Sequence, residues 1–202
     1  YIPLKNIYTG IPNDLNINLF NDYKKQKVDY KDVSKLLKKE VVAIFQSKSE
    51  QGQRGLGNRS LLLDINAPNA IKKMNSIKKR EWFRPFACSI LEEEANKWFD
   101  TKGTLSPYMM FVFKSKKPKL TKNVACINNT SRIQTVGYTH NPHFHSLLKT
   151  HNYFYKTPLL LNTSLNLPGH TLVETMDDLL YLFENSGLKY IYLPEKSILI
   201  SK

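Results

Sequence analysis

KKREWFRPFACS, from Lys78 to Ser89, is the stretch on which the reading of this chain turns. Three cations, Lys78, Arg80 and Arg84, fall where a helical pattern breaks into an extended one. Pro85 disfavours helix at Arg84 and pushes it extended. A bend of this kind lets separate cations converge on one anion. Arginine offers phosphate oxygens a planar fork, and lysine offers a point charge. A solvated basic turn is the bland alternative. Trp82, Phe83 and Phe86 interleave with the cations and favour a packed, ordered segment instead.

Two more segments carry the same chemistry. GQRGLGNRS, from Gly52 to Ser60, puts Arg54 and Arg59 around Gly55 and Gly57. Glycines leave room for a backbone to approach a ligand. The lysine and hydroxyl ending of a P-loop is missing, so an ordinary turn competes. LLNTSLN, from Leu160 to Asn166, sets Asn162, Thr163, Ser164 and Asn166 after an apolar strand. Short hydroxyls and amides at a strand end can bond phosphate or sugar oxygens, and they also cap turns. Arg132 opens a further strand in NNTSRIQTV. Placed near the middle of a sheet, it would need an anion to justify burial. His140, His143 and His145 lack nearby Cys, Asp or Glu partners, and a helix starting at Pro142 would splay them apart. No metal site is therefore expected there. No Ser-His-Asp or Cys-His arrangement stands out.

Length and composition set the frame. The chain has 202 residues, enough for one domain with a real core and no disulfides. Its two cysteines, Cys88 and Cys126, fit a reducing cytoplasm and read as small core residues. No apolar run is long enough to span a bilayer, and no signal peptide is read at the start. A chain beginning at Tyr1 is expected to be trimmed or a fragment. The net charge of +13 suits a polyphosphate ligand, an acidic partner domain or nucleic acid.

Residues 1–40 read as a lead-in packed on a domain of residues 41–202. Helices are expected at Val33–Lys39, Asn69–Ile77, Glu92–Phe99, Pro142–Tyr155 and Thr175–Asn185. Strands are expected at 41–45, 61–63, 86–90, 109–113, 124–127, 133–136, 159–161, 190–193 and 198–200. The lysine run Lys114–Lys122 reads as an exposed hairpin loop. Interleaved helices and strands give an α/β or α+β class with a large twisted mixed sheet flanked by helices.

Taken together, the segments resemble the C-terminal domain of the NodU/TobZ-type carbamoyltransferases. EQGQRGLGNRSLLLD is similar to that family's E-x-G-P-R-A-L-G-N-R-S-I-L-A-D. IKKREWFRPFACSI is similar to its I-K-x-R-E-x-F-R-P-F-A-P-S-V. SPYM, TSRIQTV, NPHFHSLL and PLLLNTSLNLPGHTLVET match later blocks in order. The departures are Gln53 for proline, Gly55 for alanine and Cys88 for proline. Ser47 and Lys48 also stand where a glycine and then an arginine usually come.

The resemblance implies a YrdC-like fold, in which Lys78 and Arg80 fit a K-x-R pair and Ser164 and Asn166 an S-x-N pair. It implies binding of ATP with Mg2+ and of carbamoyl phosphate, and formation of carbamoyl-adenylate. Lys78, Arg80 and Arg84 are then the expected catalytic cations. Arg54, Arg59, Ser106 (from SPYM), Arg132, Asn162, Ser164 and Asn166 are the expected substrate contacts. An N-terminal transferase domain, in cis or in trans, would hold the iron or other metal and pass the carbamoyl group to a hydroxyl acceptor. No membrane partner is expected and nucleic acid is disfavoured, while a homodimer stays open. Threonylcarbamoyl-adenylate synthesis for tRNA modification and a non-catalytic nucleotide- or RNA-binding module remain the alternatives.

Overall fold

The computed structural model describes residues 7–12, 14–52, 54–81 and 83–202. The readings placed on Gln53, on Trp82 and on the first residues of the lead-in lie outside the described residues. Among the described residues a nine-stranded mixed sheet runs β1 (Lys24–Lys27), β9 (Ile198–Ser201), β8 (Tyr190–Leu193), β2 (Val42–Phe45), β3 (Arg59–Asp64), β7 (Leu159–Ser164), β4 (Ala87–Leu91), β6 (Thr130–Val136) and β5 (Val112–Lys114) in spatial order. The β2–β8 and β4–β6 pairs are parallel and the others antiparallel.

Alternation along the strands explains the layers, because successive side chains point to opposite faces. Ala43 and Phe45 of β2, with Leu61 and Leu63 of β3, face one core. Helices α2 (Ala70–Lys78), α3 (Glu92–Trp98) and α5 (Met176–Glu184) cover it with Met74, Trp98 and Leu179. Val42, Ile44 and Leu62 face the other way, under α1 (Tyr30–Leu37) and α4 (Pro142–Tyr155). The helix starts are chemically set. Asp29 with Asp32, and Thr175 with Asp178, close capping boxes. Asn141 caps α4 ahead of Pro142.

The α/β class with a large mixed sheet stands as expected, and several elements differ in detail. Lys24–Lys27 pairs with β9 as an edge strand, although the sequence there reads as turn-rich lead-in. KKQK has no apolar alternation to announce it, and lysines are what an exposed edge tolerates. Asn162, Thr163 and Ser164 lie inside β7, opposite Leu62, Leu61 and Ser60, rather than after its end. The strand expected at 109–113 shrinks to Val112–Lys114, because Met109 takes a left-handed φ of 56°. The one expected at 124–127 is replaced by short 3-10 turns at Lys122–Val124 and Ile127–Asn129. The lysine run is therefore the start of a long β5–β6 connection. Arg132 lies on β6, second from the sheet edge, and is exposed. Its guanidinium is only partly desolvated, so it does not require a fixed anion to offset burial.

A row of polar groups braces the α1–α4 layer. Asp64 Oδ2 accepts from Lys38 Nζ (2.7 Å) and pairs with His151 Nε2 (3.0 Å), and the Asn66 amide donates to Oδ1. Ser34 Oγ meets His151 Nδ1 at 2.8 Å. Sequence spacing gave no hint of this Ser-His-Asp row. All three of its members are fully buried, so it acts as a strut. Burial alone would raise the Asp64 carboxyl. The hydrogen bonds from His151, Lys38 and the Asn66 amide outweigh it and hold the carboxyl below its ordinary value. A depressed carboxyl stabilises the fold above its unfolded value and loses that contribution as pH falls through its folded one. Asp64→Asn should therefore cost about 3–5 kcal/mol at neutral pH. Denaturant unfolding at pH 7 and pH 3 should show the gap to the parent chain closing in acid.

Candidate active site

The cleft forms at one end of the sheet, where β3, β4 and β6 begin and β7 ends. Register puts them side by side: Ser60 lies opposite Ser164, Ala87 opposite Asn162, and Cys88 opposite Ile133. Arg132 therefore comes beside the start of β4. Helix α2 ends at the same place. Its C-cap, Lys79, turns left-handed at φ 45°, which sends Arg80 back across the sheet end.

Lys78 lies at the centre of a ring of oxygens. Its Nζ donates to the carbonyl of Ser164 (2.8 Å), the carbonyl of Asn166 (2.7 Å) and Asn166 Oδ1 (2.5 Å), with Ser164 Oγ at 3.5 Å. Ser164 Oγ donates in turn to Asn166 Oδ1 (2.7 Å). Three of the four residues of the expected K-x-R and S-x-N tetrad thus touch directly. Burial, with Arg80 nearby, pushes the Lys78 ammonium down to about 7.

Arg80 completes the tetrad. Its guanidinium stacks on Phe86, with Cζ 4.0 Å from the ring centre, and its Nε donates to Asn75 Oδ1 (3.2 Å). It borders a cleft of about 800 Å³ that Asn75 also lines, and two further clefts that share Arg80 and Ser164. A small one of about 140 Å³ is lined by Arg54, Arg80, Arg132, Asn162 and Ser164 among others, with no carboxylate among its described lining residues. A larger one of about 700 Å³ is lined by Lys78, Arg80, Arg84, Ser164 and Asn166. Its one carboxylate, Glu81, is spent on Arg84 at 2.8 Å. Burial and then Arg54 lower the Arg132 guanidinium, and burial and then Arg84 lower that of Arg80. Like charges crowd here, and a bound anion would relieve them.

Two sequence candidates fall elsewhere. Arg59 is fully buried. It spends its N–H groups on main-chain carbonyls: Val173 from Nε, Gln46 and Asn58 from Nη1, Ser47 and Glu174 from Nη2. It also stacks on Phe45, with Cζ 3.7 Å from the ring centre. No donor is left for a substrate, and Arg59 is a structural staple. Ser106 is buried and donates to the Ile133 carbonyl (2.9 Å), which pins the loop ahead of β5 to β6.

The glycine-rich loop needs a second correction. Its amides do converge on an acceptor, but the acceptor is the chain's own Glu50 carboxyl, which burial raises and the loop amides pull back down. Glu50 Oε1 accepts from the amides of Leu56 (2.6 Å), Asn58 (2.7 Å) and Arg59 (3.1 Å). The Gly57 amide is taken by Ser60 Oγ. Such a nest of N–H groups is an anion site already filled. Among its described residues the loop reaches the cleft through Arg54 and Gly55. Glycine is required at both loop positions by contact. A Cβ on Gly55 would lie 2.4 Å from the Arg59 carbonyl, and one on Gly57 2.3 Å from Phe144. Gly55 in place of the pattern's alanine is thus a tighter closure of the loop.

Sequence reasoning missed Ser89, Gln134 and Asn75. Ser89 and Gln134 form a buried network with Asn162, whose Nδ2 donates to Ser89 Oγ (2.7 Å) and the Gly55 carbonyl (3.1 Å). They lie inside apolar strands, and no spacing rule singles them out. Asn162 Oδ1 is left buried without a partner.

Fold and cleft define a mixed-sheet α/β domain whose sheet end gathers Arg54, Arg80 and Arg132 around one small cleft. The chain belongs to the carbamoyltransferase C-terminus family, whose model matches residues 33–202. Nodulation protein NolO of Bradyrhizobium diazoefficiens is 35% identical over 73% of this chain and 28% of its own length. The 3'-hydroxymethylcephem-O-carbamoyltransferase of Amycolatopsis lactamdurans is 33% identical over 73% of this chain and 28% of its own. An uncharacterised protein of Methanocaldococcus jannaschii is 33% identical over 89% of this chain and 31% of its own. The chain spans under a third of the length of these relatives. HypF of T. kodakarensis shares the fold, with a TM-score of 0.55 at 19% identity over 88% of this chain and 22% of its own. Among the described residues no helix is long and apolar enough to cross a membrane.

Two outcomes follow from this geometry. Ser47 holds a left-handed φ of 46° at a position the family pattern fills with glycine, so Ser47→Gly should raise stability by about 1 kcal/mol in a denaturant titration. Only the ammonium form of Lys78 attracts an anion. Sulfate, whose charge is constant across this range, should bind progressively less well as pH rises from 6 through 7 to 9. Affinity that stays flat by calorimetry would show that Lys78 does not titrate there.

Proposed function

We propose that this domain binds ATP and carbamoyl phosphate side by side and forms carbamoyl-adenylate. The observation that carries the reading is the Lys78–Ser164–Asn166 ring joined through Arg80 to an arginine-lined cleft without carboxylates. The smaller cleft has room for a small anion, and the larger one lies in the usual size range for an organic ligand. Arg54 and Arg132 hold the carbamoyl phosphate end. Arg80 and Arg84 hold ATP phosphate oxygens, and Lys78, whose N–H groups go to Ser164 and Asn166, adds its charge beside them. Asn162, Ser164 and Asn166 offer polar contacts to the adenylate and carbamoyl oxygens. Full-length HypF, which shares this fold over 24% of its chain at 18% identity, is known in a phosphate- and nucleotide-bound form.

In this reading water first cleaves carbamoyl phosphate to carbamate and phosphate. A carbamate oxygen then attacks the α-phosphorus of ATP. The new O–P bond forms as the bond to pyrophosphate breaks. Negative charge grows on phosphate oxygens, so fixed cations are the main catalytic requirement. Mg2+ enters with the triphosphate as part of the substrate. The cleft itself does not fit a resident Mg2+, because Glu81 is already paired with Arg84. The hydroxyl acceptor attacks the carbamoyl carbon in an N-terminal partner domain, which holds its own metal. There the acceptor loses its proton and AMP departs. The cephem carbamoyltransferase relative favours carbamoyl over threonylcarbamoyl chemistry.

The test is isotope exchange of pyrophosphate into ATP in the presence of carbamoyl phosphate. Lys78→Ala should slow exchange by a factor corresponding to ~2–4 kcal/mol. Exchange at the parental rate would remove Lys78 from the mechanism. Exchange driven by bicarbonate with threonine, but not by carbamoyl phosphate, would favour the other adenylate.

A further inference from the structure

The geometry points to Asn75 as a positioning residue for Arg80, one that orients the guanidinium without discharging it. Asn75 lies on α2, one turn before Lys78, and is 9% exposed. Its Oδ1 receives Arg80 Nε–H at 3.2 Å, while Phe86 supports the flat face of the same guanidinium. One edge and one face of Arg80 are thereby fixed, and the rest of the group borders the anion clefts.

This arrangement is poor for stability. Asn75 Nδ2 and Arg80 Nη2 are both buried without an acceptor. A buried donor left unpaired destabilises a fold, and an apolar residue of similar shape would remove the Asn75 orphan. A carboxylate would satisfy Arg80 better still, but it would neutralise the charge the ligand needs. A neutral oxygen holds the cation and leaves its field intact. Asparagine therefore fits a requirement of binding rather than of folding, as expected where stability is given up at a functional site.

The inference rests on Arg80 holding phosphate oxygens, and the experiment separates the two. MgATP affinity and thermal unfolding are measured on this chain for Asn75→Leu, Asn75→Asp, Arg80→Ala and the Asn75→Leu/Arg80→Ala double variant. Asn75→Leu is expected to bind about tenfold more weakly with no fall in Tm. Asn75→Asp keeps the acceptor and is expected to unfold no earlier, yet also to bind about tenfold more weakly. The double variant is expected to bind no worse than Arg80→Ala alone, because Asn75 acts through Arg80. Parental binding by Arg80→Ala would overturn the underlying reading of Arg80. Loss of binding in Arg80→Ala with parental binding in Asn75→Leu would overturn the role of Asn75 alone. Additive losses in the double variant would do the same.

Discussion

The architecture depends on one buried guanidinium. Arg59 opens β3, and its donors end on carbonyls from the end of β2, from its own turn and from residues 173–174 ahead of α5. Burial lowers it to about 10, while Glu50, Glu174 and Glu195 pull the other way. A cation so fully bonded to main chain ties together three segments that are remote in sequence. The turn it fixes carries Arg54 and Gly55 to the cleft. The β3–β7 pairing that it starts sets Ser164 opposite Ser60. The site inherits its geometry from a residue that never touches it.

Around that anchor, charge is sorted by position. The acidic groups near the site are already committed inside the protein: Glu50 to loop amides and Glu81 to Arg84. Of the cations at the sheet end Arg84 keeps Glu81, while Arg54, Arg80 and Arg132 share a small cleft with no carboxylate among its described lining residues. Charge repulsion among Arg54, Arg80, Arg84 and Arg132 is a standing cost in the free protein, and an anionic guest relieves it. The overall excess of positive charge adds a longer-range pull on such guests.

Much of this was legible in the chain, and the failures have physical causes. The helix from Pro142 to Tyr155 and the strand from Tyr190 to Leu193 could be read to the residue, because capping chemistry and apolar runs mark their ends. Lys78, Arg80, Ser164 and Asn166 could be picked out because matched blocks carried them; Lys78, Ser164 and Asn166 touch, and Arg80 lines the same cleft. Arg59 was misassigned because a buried arginine and a ligand-binding one look alike in one dimension. Only the count of satisfied donors tells them apart. The loop's glycines were visible, but the tenant of its amides was not, because the matched block includes Glu50 without showing that its carboxyl turns back onto those amides. Ser89, Gln134 and Asn75 stayed hidden because a buried polar residue inside an apolar element differs from its neighbours only through its partners.

The carboxylate of Glu50 has a last consequence. It sits in the amide nest as a tethered rival that cannot diffuse away. A free phosphate seeking those amides would compete with a group joined to the same backbone a few residues off, at a local concentration that solution cannot match. The loop is therefore deaf to rising phosphate in its surroundings. It keeps one shape whether nucleotide is abundant or scarce, and discrimination between guests passes to the side chains at the sheet end.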